Sequence, residues 1–157
     1  MKLGVLTVVL SQMEMGKAMK YLADSGVQAV EIGTGGFPGN AHCKPEILLN
    51  DDRKLEEFKQ AVYGNGLEIS ALSCHGNPVH PNKEIAKKFH DEFINTILLA
   101  EKLGIDRITA YKVGYCSRAY AHVCSCGAVN IAITNKRLAS FGLISMLDYY
   151  TERCVTC

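Results

Sequence analysis

Residues 60–73, QAVYGNGLEISALS, carry the end of an amphipathic stretch, a glycine and a strand-like run in close succession. The same order of features recurs in two further segments, KYLADSGVQAVEIG (20–33) and LLAEKLGIDRITAY (98–111). Glycine directly after a helix is the usual left-handed cap. The pivots of the three segments, about 40 residues apart, are Gly26, Gly66 and Gly104. The repeat therefore predicts successive helix–strand units.

Apolar periodicity predicts where the elements lie. The predicted strands are Leu3–Val9, Ala29–Thr34, Glu68–Cys74 and Arg107–Tyr111, and the predicted helices are Glu14–Ser25, Asp51–Tyr63 and Lys83–Leu103. Strand–helix alternation implies parallel strands with right-handed crossovers. Eight such units make a TIM barrel of about 250 residues. The fold class is therefore α/β, with residues 1–109 predicted to form about four parallel βα units, the N-terminal half of a (β/α)8 barrel.

Charge and hydropathy exclude some classes of function. The net charge of +1 over 157 residues gives no electrostatic reason to bind nucleic acid or an anionic membrane. The first apolar run, Leu3–Leu10, is too short to span a bilayer and is not followed by a signal-peptide cleavage motif. The sequence thus predicts a cytoplasmic protein.

Residues 110–157 differ in composition from the repeat, since they hold five of the seven cysteines and none of the four prolines. A strand at 128–134 and a helix at 136–150 are the only elements suggested there. One interpretation is an atypical tail, a frame-shifted or truncated continuation of the barrel. The other is a four-thiolate zinc site on Cys124, Cys126, Cys154 and Cys157, although only the last pair has the usual knuckle spacing.

Two long loops follow predicted strands, GTGGFPGNAHCKP (33–45) and CHGNPVHPN (74–82). Chemistry in parallel barrels sits in loops at this end of the strands, and long loops in compact domains are often functional. Strand alternation places Glu31 and His75 on the inward face, where a carboxylate and an imidazole could move a proton. We therefore predict these two as catalytic. The predicted substrate-binding residues are Gly35, Asn40, His42, Asn77 and His80.

Structural roles are the alternatives for the same residues. Glu31 could pair with a lysine or arginine inside the barrel, and His75 could be a satisfied residue at the mouth of the loop. His42 and His80 could be exposed loop residues. The sequence leaves these alternatives open.

The segments GVQAVEIGTGG, GNAHC, LEISALSCHGNPVHP and LLAEKLGID closely resemble the N-terminal half of sugar phosphate isomerases/epimerases, the xylose isomerase-like TIM barrels. The resemblance spans about residues 1–109. It implies metal-assisted proton transfer on a ketose or related sugar, with a divalent metal (Mn, Mg, Co or Zn) as cofactor. In that family the metal ligands come largely from later strands, so no metal ligand is assigned in this chain.

The resemblance implies a sugar or sugar phosphate as the small-molecule partner. It also implies that the chain by itself is inactive, which favours an alternative: a non-catalytic half-barrel that needs a partner or self-association as a homo-oligomer, because open strand edges favour pairing. A further alternative is an endonuclease IV-like metal hydrolase. Those nucleases have a zinc-binding histidine near the strand end that His75 occupies, but the near-neutral charge argues against a DNA groove.

Overall fold

The computed structural model describes residues 1–78 and 80–110, together with a short strand at residues 130–132. Its strands are β1 (Gly4–Leu6), β2 (Ala29–Gly36), β3 (Glu68–His75), β4 (Arg107–Thr109) and β5 (Asn130–Ala132). Its helices are α1 (Met15–Asp24), α2 (Pro45–Leu48), α3 (Asp52–Tyr63) and α4 (Lys83–Leu103), and a 3-10 turn covers Thr7–Leu10. Each of the three helices predicted within residues 1–109 is confirmed to within one residue at either end.

The strands form one sheet in the order β1-β2-β3-β4-β5. The pairs β1–β2, β2–β3 and β3–β4 are all parallel, as the repeat predicts. The fifth strand falls within the predicted strand at 128–134 but runs antiparallel to β4. Four consecutive parallel strands with intervening helices are the arrangement expected of a partial TIM barrel.

The three pivot glycines adopt the left-handed conformation, with φ of +81° at Gly26, +73° at Gly66 and +69° at Gly104. In each case the backbone reverses after a helix and enters the next strand two or three residues later. The predicted glycine repeat is therefore confirmed: each of the three glycines lies in the turn between a helix and the next strand. The start of α3 is confirmed as well, because the Asp51 side chain caps it by accepting a hydrogen bond from the Lys54 N–H.

The hydrophobic core lies between the sheet and the helices. The sheet contributes one face of its strands: Val30, Ile32, Leu72, Cys74 and Ile108. The helices contribute their predicted apolar stripes: Ala18, Met19, Leu22, Leu55, Phe58, Val62, Phe93, Ile97 and Ala100. Burial of this apolar surface on one side of the sheet leaves the opposite strand face free to carry polar groups.

Several predicted strand ends are wrong. β1 stops at Leu6, and Thr7–Leu10 turns over the middle of β2, where a Val8 methyl lies 3.2 Å from the position of a Cβ on Gly33. The pairing of β1 with β2 ends at Leu6↔Glu31, so the residues after Leu6 are not part of the sheet. Conversely, β2 and β3 extend to Gly36 and His75 because these two residues are paired. β4 ends at Thr109 rather than Tyr111, which lies outside the described residues.

In the described part of the chain, no helix is long and apolar enough to cross a bilayer. The predicted helix at 136–150 and the four cysteines of the proposed zinc site lie outside the described residues. The division of the chain at residue 109 stays a prediction.

Candidate functional site

A cluster of hydrogen-bonded side chains joins β2, β3 and β4 on the face away from the helices. The Glu31 carboxylate accepts hydrogen bonds at Oε1 from the Ser73 hydroxyl (2.6 Å) and the Thr109 hydroxyl (2.5 Å). The two hydroxyl oxygens lie 2.8 Å apart. We call Glu31, Ser73, His75 and Thr109 the polar cluster. Ser73 is fully buried, so the carboxylate is held by neutral donors within a shielded part of the sheet.

His75 belongs to the same cluster, because its Nε2 lies 3.2 Å from the Ser73 hydroxyl oxygen. Glu31 and His75 therefore share one face of the sheet, as the strand alternation predicts. The pKa of His75 is lowered from its ordinary value by burial, and the nearby Glu31 carboxylate acts in the opposite direction. A lowered pKa keeps the imidazole neutral at pH 7, which is the form that can both accept and donate a proton.

The alternative in which Glu31 pairs with a lysine or arginine is not what the described residues show. The partners of its carboxylate there are the two hydroxyl groups. The orientation of the carboxylate is therefore set by hydrogen bonds from neutral groups.

The ends of β2 and β3 are held together by backbone contacts that only glycine allows. A Cβ added to Gly36, which has φ of +65°, would lie 1.7 Å from the His75 carbonyl oxygen. The Phe37 N–H donates to that same carbonyl oxygen (2.6 Å), and the Gly36 N–H donates to the Glu92 carboxylate of α4 (2.8 Å). Close approach of the two strands therefore fixes the backbone of His75.

The predicted substrate-binding residues divide into two groups. Gly35 and Asn77 are buried next to the strand ends, with Gly35 paired to Cys74 and Asn77 two residues beyond His75. Asn40 lies farther out and lines an open surface groove of about 440 Å³ beside α4, together with Lys88 and Asp91. The groove is on the helix side of the sheet, whereas the polar cluster lies on the other face.

The two loop histidines contact the backbone. His42 is buried rather than exposed, and its Nε2 lies 2.9 Å from the Met13 carbonyl oxygen. This contact ties the loop after β2 to the loop before α1. His80 accepts a hydrogen bond at Nδ1 from the Asn82 N–H (3.0 Å), just before the Asn82 side chain caps α4. Both contacts fix a histidine ring against the backbone of its loop. The role of these histidines in binding a substrate stays a prediction.

Sequence reasoning missed Ser73, Thr109 and Glu92 as members of the site. Ser73 alternates with His75 in β3, and Thr109 is the register partner of Ser73 in β4, so strand periodicity was the available signal for both. Glu92 lies in the middle of α4 and reaches the end of β2 from the helix layer. The sequence contains no local signal for that contact, since it depends on how α4 packs.

The arrangement does not fit a metal ion by itself. Among residues 1–78 and 80–110, no group of three or more His, Cys, Asp and Glu side chains is placed to hold one. The two described cysteines, Cys43 and Cys74, are buried in the core with raised thiol pKa values, that of Cys74 reaching about 11, chiefly because burial disfavours the thiolate. They are poor metal ligands in this setting.

Comparison with known proteins identifies the family of the chain. The family model described as xylose isomerase-like TIM barrel matches residues 19–129. The chain belongs to this family. The xylose isomerase-like TIM barrels include sugar isomerases and epimerases and endonuclease IV-like members, and they generally use divalent metals.

Two individual proteins are similar to the chain. The uncharacterized protein YfiH of Bacillus subtilis (strain 168) is 32% identical over 108 residues, which is 69% of this chain and 34% of that protein. The crystal structure of protein SMc04130 from Sinorhizobium meliloti 1021 superposes with a TM-score of 0.48 at 19% identity, covering 72% of this chain and 37% of that one. The chain thus spans about a third of the length of its curated relative.

Proposed function

We propose that this chain provides part of an isomerase or epimerase site for a ketose or related sugar, free or phosphorylated, in which a proton moves at the carbon next to a carbonyl. The observation that carries the proposal is the Glu31 carboxylate held by two hydroxyl donors, 2.5 and 2.6 Å away, in a cluster with His75. His75 and Thr109 are the last residues of β3 and β4, at the end where parallel barrels bind their substrates, and Glu31 lies deeper, at the third residue of β2.

The chemistry of the polar cluster supports this proposal. Proton abstraction next to a carbonyl needs a fixed base and a second group that can donate to or accept from the sugar oxygens. A carboxylate whose orientation is set by Ser73 and Thr109 can serve as that base. A neutral His75, whose pKa is lowered by burial, can exchange a proton with a hydroxyl of the substrate.

A divalent metal would hold neighbouring sugar oxygens in a complete site of this kind. The described residues offer no ligand set for it, and we derive no step through a metal. We therefore expect the 157-residue chain alone to bind a sugar without turning it over, the missing ligands being supplied by other barrel units.

Sugar contact with the cluster can be tested by saturation-transfer NMR on the full chain with a panel of ketoses and ketose phosphates, with and without Mn²⁺ or Mg²⁺. We expect transfer to at least one sugar with the wild type, and its loss in Glu31→Gln. The matched control is Glu68→Gln, which changes the same group at the opposite end of β3, where Glu68 pairs with Lys2 on the surface. Equal loss in both variants, or no transfer to any sugar, would contradict the proposal.

The alternative, an endonuclease IV-like activity, can be assayed with the same purified protein. Nicking of a duplex that carries an abasic site, in the presence of Zn²⁺, would replace the sugar proposal. We expect no nicking, because the net charge of +1 provides little attraction for a phosphate backbone.

A second candidate function, assembly with another chain or copy, is favoured by the edge of the sheet. Within the described sheet β1 pairs only with β2, and Leu3 and Leu6 are 57% and 36% exposed beside it. An exposed apolar edge strand is prone to pair with another strand. Light scattering of the purified chain tests this: we expect a dimer or larger species, reduced by Leu6→Lys, whereas a wild-type monomer would rule out self-association.

A further inference from the structure

The Ser73 hydroxyl stands at the centre of the polar cluster. Its oxygen lies 2.6 Å from Glu31 Oε1, 2.8 Å from Thr109 Oγ1 and 3.2 Å from His75 Nε2. Thr109 Oγ1 in turn lies 2.5 Å from the same Glu31 oxygen. The three oxygens therefore form a closed triangle, and the imidazole contacts the triangle at Ser73.

The number of protons in the triangle decides the direction of each hydrogen bond. Serine and threonine hydroxyls have one proton each, and an ionised carboxylate has none. If Glu31 is ionised, its two short contacts take the protons of both hydroxyls. If Glu31 is protonated, there are three protons for the three contacts, and each group donates its proton to the next one around the triangle. In both arrangements the Ser73 proton is used inside the triangle, and Ser73 has only lone pairs to offer His75.

We infer that Ser73 is a positioning residue that holds His75 in the tautomer protonated at Nε2. The ring nitrogen that contacts Ser73 must donate, because an unprotonated Nε2 would face an oxygen with no proton for it. The tautomer of a histidine is set by the hydrogen bond that one of its nitrogens makes. In the neutral ring Nδ1 is then the acceptor nitrogen, whatever it contacts.

This assignment deepens the proposed function and rests on it only for its catalytic consequence. If His75 takes part in proton transfer, Nδ1 is the atom that takes up a proton, and Nε2–H is the fixed donor toward Ser73. Ser73 then links the orientation of the imidazole to that of the Glu31 carboxylate through one hydroxyl. The tautomer itself is a property of the chain that needs no substrate.

Long-range ¹H–¹⁵N NMR of the ¹⁵N-labelled full chain measures the tautomer directly. The spectrum is recorded at about pH 7.5, above the ordinary histidine pKa, and the His75 signals are identified by their absence in His75→Gln. We expect a protonated Nε2 whose proton exchanges slowly enough with water to be observed, and an unprotonated Nδ1. In Ser73→Ala we expect that Nε2 proton signal to be lost, because the Ser73 oxygen no longer accepts a hydrogen bond from it.

Two matched variants separate this role from a general effect on the strand. Ser70→Ala removes a hydroxyl from the same strand, where it donates to the Val30 carbonyl (3.1 Å). Thr109→Val removes the other donor to Glu31 and leaves Ser73 in place. Both are expected to keep the wild-type His75 spectrum.

The inference is overturned if the wild type is protonated at Nδ1, or if Ser73→Ala keeps the wild-type Nε2 signal. Should Ser73→Ala fail to fold, the wild-type and Thr109→Val spectra decide the question, and a signal lost in Thr109→Val would also overturn it. Absence of sugar binding would leave this result standing, so the proposed function and the tautomer fail separately.

Discussion

Leu72 and Ser73 are neighbours in β3 and both are fully buried, yet the two faces of the sheet they belong to differ in kind. Leu72 packs with Val30, Ile32 and the helices, in a core made of apolar side chains. Ser73 contacts a carboxylate, a hydroxyl and an imidazole. The helix-facing side stabilises the fold by removing apolar surface from water, whereas the other side keeps polar groups in a fixed geometry. Burial alone therefore does not identify the residues of the hydrophobic core.

The largest effect is expected on the helix-facing side. Leu72→Ala should lower the free energy of unfolding by about 2–5 kcal/mol, because it leaves a cavity between β3 and α4. Leu98→Ala, the same change at a leucine that is 43% exposed on α4, is the control and should cost far less. Chemical denaturation measures both, and equal losses would show that the helix-facing side is not a tightly packed core.

Gly36→Ala tests how tightly the ends of β2 and β3 are held together, where Gly36 is paired with His75. A left-handed conformation costs a non-glycine residue about 1–2 kcal/mol, and here the added methyl also collides with the His75 carbonyl. Gly39→Ala has a similar φ of +72° and no atom within 4 Å of the added Cβ, so it reports the conformational cost alone. Gly36→Ala should be the more destabilising of the two in thermal unfolding, and it should shift the NMR signals of His75. Equal costs would mean that the strands can separate there without penalty.

A smaller effect is expected from the charge state of the polar face. Because burial lowers the pKa of His75 in the folded protein, the unfolded chain binds the proton first as the pH falls below about 6.5. Stability should therefore decrease on acidification until the lower, folded-state pKa is passed, and His75→Gln should remove that part of the decrease. Glu31→Gln should lower the pKa of His75 further, since the carboxylate favours the imidazolium. An NMR titration that gives a pKa above 6.5 would show that Glu31 outweighs burial.

The smallest effect is expected on the outer surface, which belongs to neither face of the sheet. Lys20 and Asp24 form an exposed i,i+4 pair on α1 with a separation of 3.0 Å. Lys20→Ala should change the free energy of unfolding by no more than about 0.5 kcal/mol, because solvent screens such pairs. A loss comparable to that of Leu72→Ala would contradict the view that packing dominates stability.

Much of the fold was predictable because it follows from short-range patterns in the sequence, such as helix caps and the spacing of apolar residues. Among the described residues, the glycine repeat and the apolar stripes located the three long helices and the parallel strands, and alternation in β2 and β3 placed Glu31 and His75 on one face. The strand ends were less predictable. Where β1 stops and how far β2 and β3 extend depend on which neighbouring strand still offers backbone partners, as the Gly36↔His75 pair shows.

By itself, the sequence determined the order of helices and strands and the face on which each strand residue lies, since both follow from local backbone geometry and the period of the side chains. Only the tertiary structure decided that Glu31 is held by Ser73 and Thr109, that Glu92 reaches the end of β2 from α4, and that His42 is buried against the loop before α1. Each of these contacts joins residues far apart in the chain, and their geometry is set by strand register and helix packing, which no local pattern encodes.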